Sequence, residues 1–181
     1  MRRVDRAART VRVAAVVPLF LVLLVVACGC GTSRGEGFAI YLPATEMPVS
    51  QLPILSHVEP ADTPLVSGAD IVSYSKDTHR IELTAGAFNR VAELEVPVSG
   101  RAFVVCVDRQ PIYTGAFSTP ISSVSFDGVV IMKPLDAEAA AAGRHTVQLQ
   151  LGNPGPDFFS GKDPRADPEI IESLQQAGKL H

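Results

Sequence analysis

The residues of this 181-residue chain best suited to metal, thiol or nucleophilic chemistry are three cysteines, four histidines and a short run of serines, and their spacing does not assemble them. No Cys-x-x-Cys or His-Glu-x-x-His string occurs, and His57, His79, His145 and His181 are too scattered to build a zinc site locally. A serine hydrolase needs its nucleophile on a sharp elbow between a strand and a helix, and no such elbow is expected around Ser122, Ser123 and Ser125, which read as a small-residue strand edge. Glycoside chemistry needs two carboxylates converging from different elements. Asp70, Asp108 and Asp127 instead fall at turns and strand ends. The residue types therefore point away from catalysis, and no cofactor or metal is expected.

Charge is distributed unevenly. Residues 1–12 carry Arg2, Arg3, Arg6, Arg9 and Arg12 against Asp5, a local +4. From Cys28 onward there are eleven basic side chains (16 less those five) and eighteen acidic ones (19 less Asp5), a net charge of −7. An acidic domain is a poor partner for nucleic acid. The arginines precede an uncharged apolar run, residues 13–27, with the pattern of an export signal; a retained transmembrane span is the rival, although fifteen residues are short for a roughly 30 Å hydrocarbon core. The run ends Val25-Val26-Ala27-Cys28, which resembles a bacterial lipobox. That resemblance implies removal of residues 1–27, a diacylglyceryl group on the Cys28 sulfur and residence on the outer face of the bacterial cell membrane, with Cys30 as the alternative acceptor. Cys106, inside an apolar strand, reads as a small buried hydrophobe, a Cys30–Cys106 disulfide being the rival in an oxidising compartment.

The elements that would position any site begin after a glycine-rich tether, residues 28–37. Phe38 to Leu42 reads as a strand stopped by Pro43, and the five prolines between 43 and 64 exclude a long helix or central strand. A strand over Ala69–Tyr74 turns through Ser75-Lys76-Asp77 into His79–Leu83, where Ile81 and Leu83 share one face and Arg80 and Glu82 the other. His79 lies on the apolar parity, the place of a hydrogen-bonded residue at the sheet margin. Thr84 is placed to cap a helix running from Ala85 to about Glu95, whose Ala87, Phe88, Val91 and Leu94 form a stripe. Ala102–Val107 is apolar on both parities and predicts the most buried strand, covered by Phe88, Val91 and Leu94. After the Asp108-Arg109 turn, Ile112–Phe117 returns. Asp127-Gly128 predicts a two-residue hairpin between Val124–Phe126 and Val129–Met132. Residues 136–142 read either as a brief alanine-rich helix or as a loop. Thr146–Leu151 alternates, and Asp167-Pro168 opens a last helix that Gly178 closes.

Residues 70–132 resemble, at the level of pattern, the head of the first extracytoplasmic domain of SecD/SecDF, the auxiliary subunit of the bacterial protein-export channel. The resemblance rests on Leu83-Thr84, Ala87, Phe88 and Val91, on Phe103 to Asp108, on Ile112 to Phe117 and on Val124 to Gly128. The family's Asp-Gly turn is Asp108-Arg109 here, so a local turn of a different kind is expected. The resemblance implies a mobile module that contacts polypeptide in transit, without the proton-driven membrane bundle.

The expected fold is α+β: a small, mostly antiparallel sheet covered on one face by one or two helices, forming a single domain over residues 38–181. The expected function is that of a lipid-anchored, monomeric, non-catalytic domain binding a polypeptide or an envelope protein, with a passive structural or accessory envelope role, or a hydrolase, as alternatives. Tyr41, Tyr74, Tyr113, Phe158 and Phe159 either fill the core or meet a partner; Tyr74, Tyr113, Phe158 and Phe159 are the candidate binding surface. The sheet is expected to expose an edge at Thr146–Leu151 or Val129–Met132, where a guest strand could pair.

Overall fold

The computed structural model describes residues 35–181 except 53, 123 and 135–143, and residues 35–181 form one compact unit. The expected export signal, Cys28, Cys30 and the expected alanine-rich helix lie outside the described residues. Among the described residues no helix is long and apolar enough to cross a membrane.

Among the described residues, seven strands and two α-helices make up an α+β fold. They are β1 (Phe38–Tyr41), β2 (Ile71–Ser75), β3 (Arg80–Leu83), α1 (Ala85–Glu93), β4 (Arg101–Val107), β5 (Gln110–Ser118), β6 (Phe126–Met132), β7 (Thr146–Asn153) and α2 (Pro168–Gln176). The strands form one mixed sheet in the order β1-β4-β5-β6-β7-β3-β2, with β5 and β6 parallel. This replaces the small, mostly antiparallel sheet expected. The sheet curls until Phe38 on one outer strand meets Tyr74 on the other, ring centroids 6.2 Å apart.

Side-chain parity explains the layers. On the inner face Phe38, Ile40, Phe103, Val105, Phe117, Ile131, Leu149 and Ile81 join Phe88 and Val91 of α1 and Ile170 and Leu174 of α2 in one buried cluster. On the outer face of β1 and β4, Ala39, Tyr41, Val104 and Cys106 form a second cluster under Leu55 and Val58. The proline-rich segment is thus a lid over half the sheet. That is why β4 is apolar on both parities, with Phe103 and Val105 facing the helix-lined inner cluster. β3 and β7, beyond the lid, turn Arg80, Glu82, Thr146 and Gln150 to solvent and so alternate.

The helix signals are realised in detail. Thr84 Oγ1 accepts from Ala87 N, and Asp167 Oδ1 from Glu169 N. Gly178, with φ +67°, closes α2: its N–H donates to Gln175 and that of Lys179 to Leu174, the paired bonds of a Schellman stop. α1 ends at Glu93 rather than Glu95. Leu94 leaves the helix with ψ 127° and is only partly buried.

Two local expectations are corrected. Asp127-Gly128 makes no hairpin: neither residue has positive φ, and β6 continues through them with a bulge against β7 between Phe126 and Val129. The Asp127 carboxylate instead accepts from Ser160 N and Ser160 Oγ, both at 2.6 Å, and the Phe126 ring occupies the space a Cβ at Gly128 would need. The Asp108-Arg109 turn does not avoid positive φ: Asp108 and Arg109 have φ of 50° and 66°, the φ pattern of a type I′ hairpin. Tertiary contacts hold this unfavourable backbone. Asp108 Oδ1 accepts from Gly37 N at 2.7 Å, Arg109 donates to the carbonyls of Asp62 and Ala61, and its guanidinium lies 5.4 Å from the centre of the Tyr41 ring.

The expected exposed edges are also corrected. β7 lies between β6 and β3, and β6 between β5 and β7, so neither Thr146–Leu151 nor Val129–Met132 is an edge. The outer strands are β1 and β2, and both carry cover. Residues 59–66 pair along β1, with Ile40 N donating to Val66 O and Leu65 N to Ile40 O. Residues 179–181 pair along β2.

Candidate functional site

The tyrosines singled out by the sequence turn inward. Tyr74 is 0% and Tyr113 6% exposed, so the surface expected from Tyr74, Tyr113, Phe158 and Phe159 does not form. A seven-stranded curled sheet has a large interior, and these rings fill it. Tyr41 is buried as well, and its hydroxyl and that of Tyr113 have no hydrogen-bond partner among the described residues. Phe158 remains half exposed on a 3-10 turn after β7, with Phe159 partly buried beside it.

Tyr74 instead belongs to a polar cluster inside the sheet. Its hydroxyl lies 2.9 Å from His79 Nδ1 and 3.2 Å from the Arg165 carbonyl. Arg165 clasps Asp163 through Nε and Nη2 and donates from Nη1 to the Leu149 carbonyl. Burial, and after it the Arg165 guanidinium, hold the His79 imidazole below its ordinary pKa, against the opposing pull of Asp163 and Asp77. A depressed base leaves the unfolded chain binding the extra proton. Stability is therefore complete above the unfolded value, near 6.5, and falls as pH drops from there toward the folded one. Urea midpoints are expected to fall between about pH 7.5 and pH 5.5 in the wild type and to flatten in His79→Asn. Asn tolerates the φ of 51° that His79 adopts. An undiminished slope in the variant would assign the pH dependence elsewhere.

The other chemistry-bearing residues have structural work. Burial pushes the Cys106 thiol up to about 11, so it stays protonated and inert. Asp70 takes the Ser67 main-chain and hydroxyl hydrogens and pairs with Arg90 Nη2 at 2.7 Å. Ser122 Oγ accepts from Thr119 N inside its own turn. Among the described residues no group of three His, Cys, Asp or Glu side chains is placed to hold a metal ion.

Clefts and several exposed apolar side chains lie at one end of the sheet. Arg101 begins β4 and Asp108 follows its end, so the chain, which enters at Gly35–Gly37 beside Asp108, does so roughly 20 Å from Arg101. At the Arg101 end three loops meet, over residues 42–47, 94–101 and 119–125. A cleft of about 480 Å³ is lined by Glu46, Glu95, Val96, Pro97 and Arg101. A second, of about 210 Å³, shares Glu46 and Arg101 and adds Leu42 and Met47. Arg101 sits between them, donating from Nη1 to the Glu95 carbonyl and facing the Glu46 carboxylate at 3.9 Å. Across the 94–101 loop, Ser99, Gly100, Ser122 and Val124 line a narrow crevice. Val124 is 44% exposed, and Val98 and Ile121, next in sequence to Ser99 and Ser122, are 57% and 77% exposed. Sequence reasoning passed over these residues, because single apolar side chains among Pro, Ser and Gly carry no periodic signal. Only the neighbouring prolines, Pro97 and Pro120, mark them as loop tips unable to bury what they carry.

No protein-family model matches the chain, nor does a curated protein or a solved structure.

Proposed function

We propose that residues 28–181 form a lipid-anchored, extracytoplasmic, non-catalytic domain that binds a protein or extended polypeptide of the bacterial envelope through the loop end of its sheet. The observation carrying this reading is that exposed Val98, Ile121 and Val124 lie on the loops whose Ser99, Gly100 and Ser122 share one crevice beside the Arg101 clefts, at the opposite end of β4 from the point where the tether joins. Apolar side chains grouped on a surface around a polar groove are the common anatomy of a contact patch. The −7 charge from Cys28 onward disfavours nucleic acid and anionic lipid, which leaves protein as the partner. The β-α-β-β run from β2 or β3 through α1 to β4 and β5 supports the likeness to the SecD/SecDF head, which in that family is thought to meet polypeptide in transit. The contact surface is moved from the tyrosines and the inner strands to the loop end.

A second reading, a passive envelope component, is favoured by one observation: both outer strands are covered. Crosslinking in intact cells separates the two. A photoreactive residue at Ile121 is expected to capture a reproducible protein partner that the same residue at Glu172, exposed on α2, does not. Indistinguishable patterns at the two positions would favour the passive component. Anchoring has its own test. A palmitate analogue is expected to label the wild type, and Cys28→Ser to lose the label completely; label retained in that variant moves the acceptor to Cys30 or removes the anchor.

A further inference from the structure

The two outer strands are covered in unequal ways. Along β1 the cover is the eight-residue span 59–66, tied by five main-chain hydrogen bonds, among them Ala44 N to Glu59 O and Ala61 N to Leu42 O, and pinned by Arg109 at Ala61 and Asp62. Along β2 it is three residues. Tyr74 N donates to Lys179 O at 2.7 Å, His181 N to Tyr74 O at 2.8 Å, and Lys76 N to His181 O at 3.0 Å, a short parallel ladder centred on the Tyr74–Leu180 bridge. One side chain of the three joins the core: Leu180 packs, partly buried, against the inner cluster. Lys179 is partly exposed and His181 exposed, so neither adds a deep anchor. The ladder begins directly after the Gly178 stop, where the left-handed backbone turns the chain out of α2.

We infer that the β2 edge is a strand-accepting site for an extended polypeptide running parallel to β2, and that residues 179–181 occupy it as an exchangeable internal ligand. Main-chain bonding to Tyr74 and Lys76 supplies sequence-independent pairing. The seat of Leu180 supplies one requirement, an apolar side chain of similar size, and the flanking positions tolerate any residue. A guest meeting those terms makes the same bonds as the segment it displaces. The internal segment has the advantage of high effective concentration, so the site opens to guests only when its own strand lets go. This edge is separate from the loop end bearing Ile121.

The probe is a fluorescent peptide with the sequence of residues 175–181, Gln-Gln-Ala-Gly-Lys-Leu-His, added to the purified full chain. Leu180→Asp and the milder Leu180→Ala weaken the internal strand without touching β2. Both variants are expected to bind the peptide at least about tenfold more tightly than the wild type does. A peptide N-methylated at its histidine, which cannot donate to Tyr74 O, is expected not to bind. Equal binding of methylated and unmethylated peptides, or no binding to either variant, would overturn the proposal. Amide exchange in the wild type gives a reading independent of any variant. Tyr74 and Lys76 amides are expected to exchange through a local opening well before those of Val104 and Val105. Exchange of Tyr74 and Lys76 only with global unfolding would also overturn it. Failure of the Ile121 crosslink leaves this result unaffected, and the reverse holds.

Discussion

Phe88→Ala is expected to lower the unfolding free energy by about 3–5 kcal/mol, the range for deleting a buried aromatic ring whose surroundings cannot collapse into the space. Phe88 is 1% exposed and stands on α1 between Ala87 and Val91 in the cluster that fills the curl of the sheet. Its ring also meets the His145 imidazole, centroids 5.4 Å apart, just before β7. The strands around it are held at fixed spacing by their ladders, so the hole left by the ring stays open. Nine residues are too few for an isolated helix, and Gly86 weakens it by roughly 1 kcal/mol relative to Ala. Tertiary contacts therefore keep the helix formed, and this ring is the largest of them, beside Ala87 and Val91 in the cluster and the Arg90–Asp70 pair. Chemical denaturation at neutral pH measures the effect, with Glu93→Ala on the exposed face of the same helix expected to stay within about 0.5 kcal/mol. A loss below about 1 kcal/mol for Phe88→Ala would show that the helix is not seated on the sheet through this residue.

How far the fold could be read in advance depended on whether a residue's partner lies nearby in the chain. Thr84, Asp167-Pro168 and Gly178 act on main-chain groups within five residues, and each performs the role its type predicts. Parity separated β4, covered on both faces, from β3 and β7, covered on one. The errors come from partners far along the chain. Asp127-Gly128 has the composition of a hairpin, but Ser160, thirty-three positions on, supplies hydrogens that a local turn would not. Asp108-Arg109 has the wrong composition for positive φ, yet Gly37, Ala61 and Asp62 hold it there. The parallel β5–β6 pairing joins strands separated by only seven residues, shorter than the crossover such a pairing usually needs. That connection passes over the outer face, where Ser122 and Val124 line a crevice with Ala116 and Val130. Inserting β6 there put β7 inside the sheet and left β2 at its margin.

The candidate surface follows the same logic. Tyr74 and Tyr113 drew attention as large aromatics, but a curled sheet with a deep interior needs such rings, and burial took them. Val98 and Ile121 are smaller and stand alone in sequence. Their loops come together through the short β5–β6 connection, which brings Ser122 and Val124 back beside Ser99 and Gly100.

The same close packing makes Gly115→Ala strongly disruptive for so conservative a change. A Cβ at position 115 would overlap the ring of Phe103, its cross-strand partner on β4, and would sit 2.5 Å from the carbonyl oxygen of Val129 on β6. The ring could shift only into the buried cluster, where Phe117 lies 5.1 Å from it, centroid to centroid. The carbonyl could shift only by loosening the parallel ladder that holds β6. Overpacking of this kind costs about 1–3 kcal/mol, occasionally more. With backbone as well as side chain in the way, a loss near about 3 kcal/mol is expected. Phe103→Leu in the Gly115→Ala background should restore part of it by removing the ring, but not all, because the Val129 carbonyl remains. At Gly86 the identical substitution has the opposite sign. There the nearest atom to a new Cβ is Arg90 Nη1 at 3.9 Å, and the gain in helix propensity should stabilise the chain by about 0.5–1 kcal/mol. Urea titrations of the four chains check all of this together. If Gly115→Ala were neutral, the close approach of β4, β5 and β6 at this point would be wrong, and with it the parallel register of Gly115 with Val129.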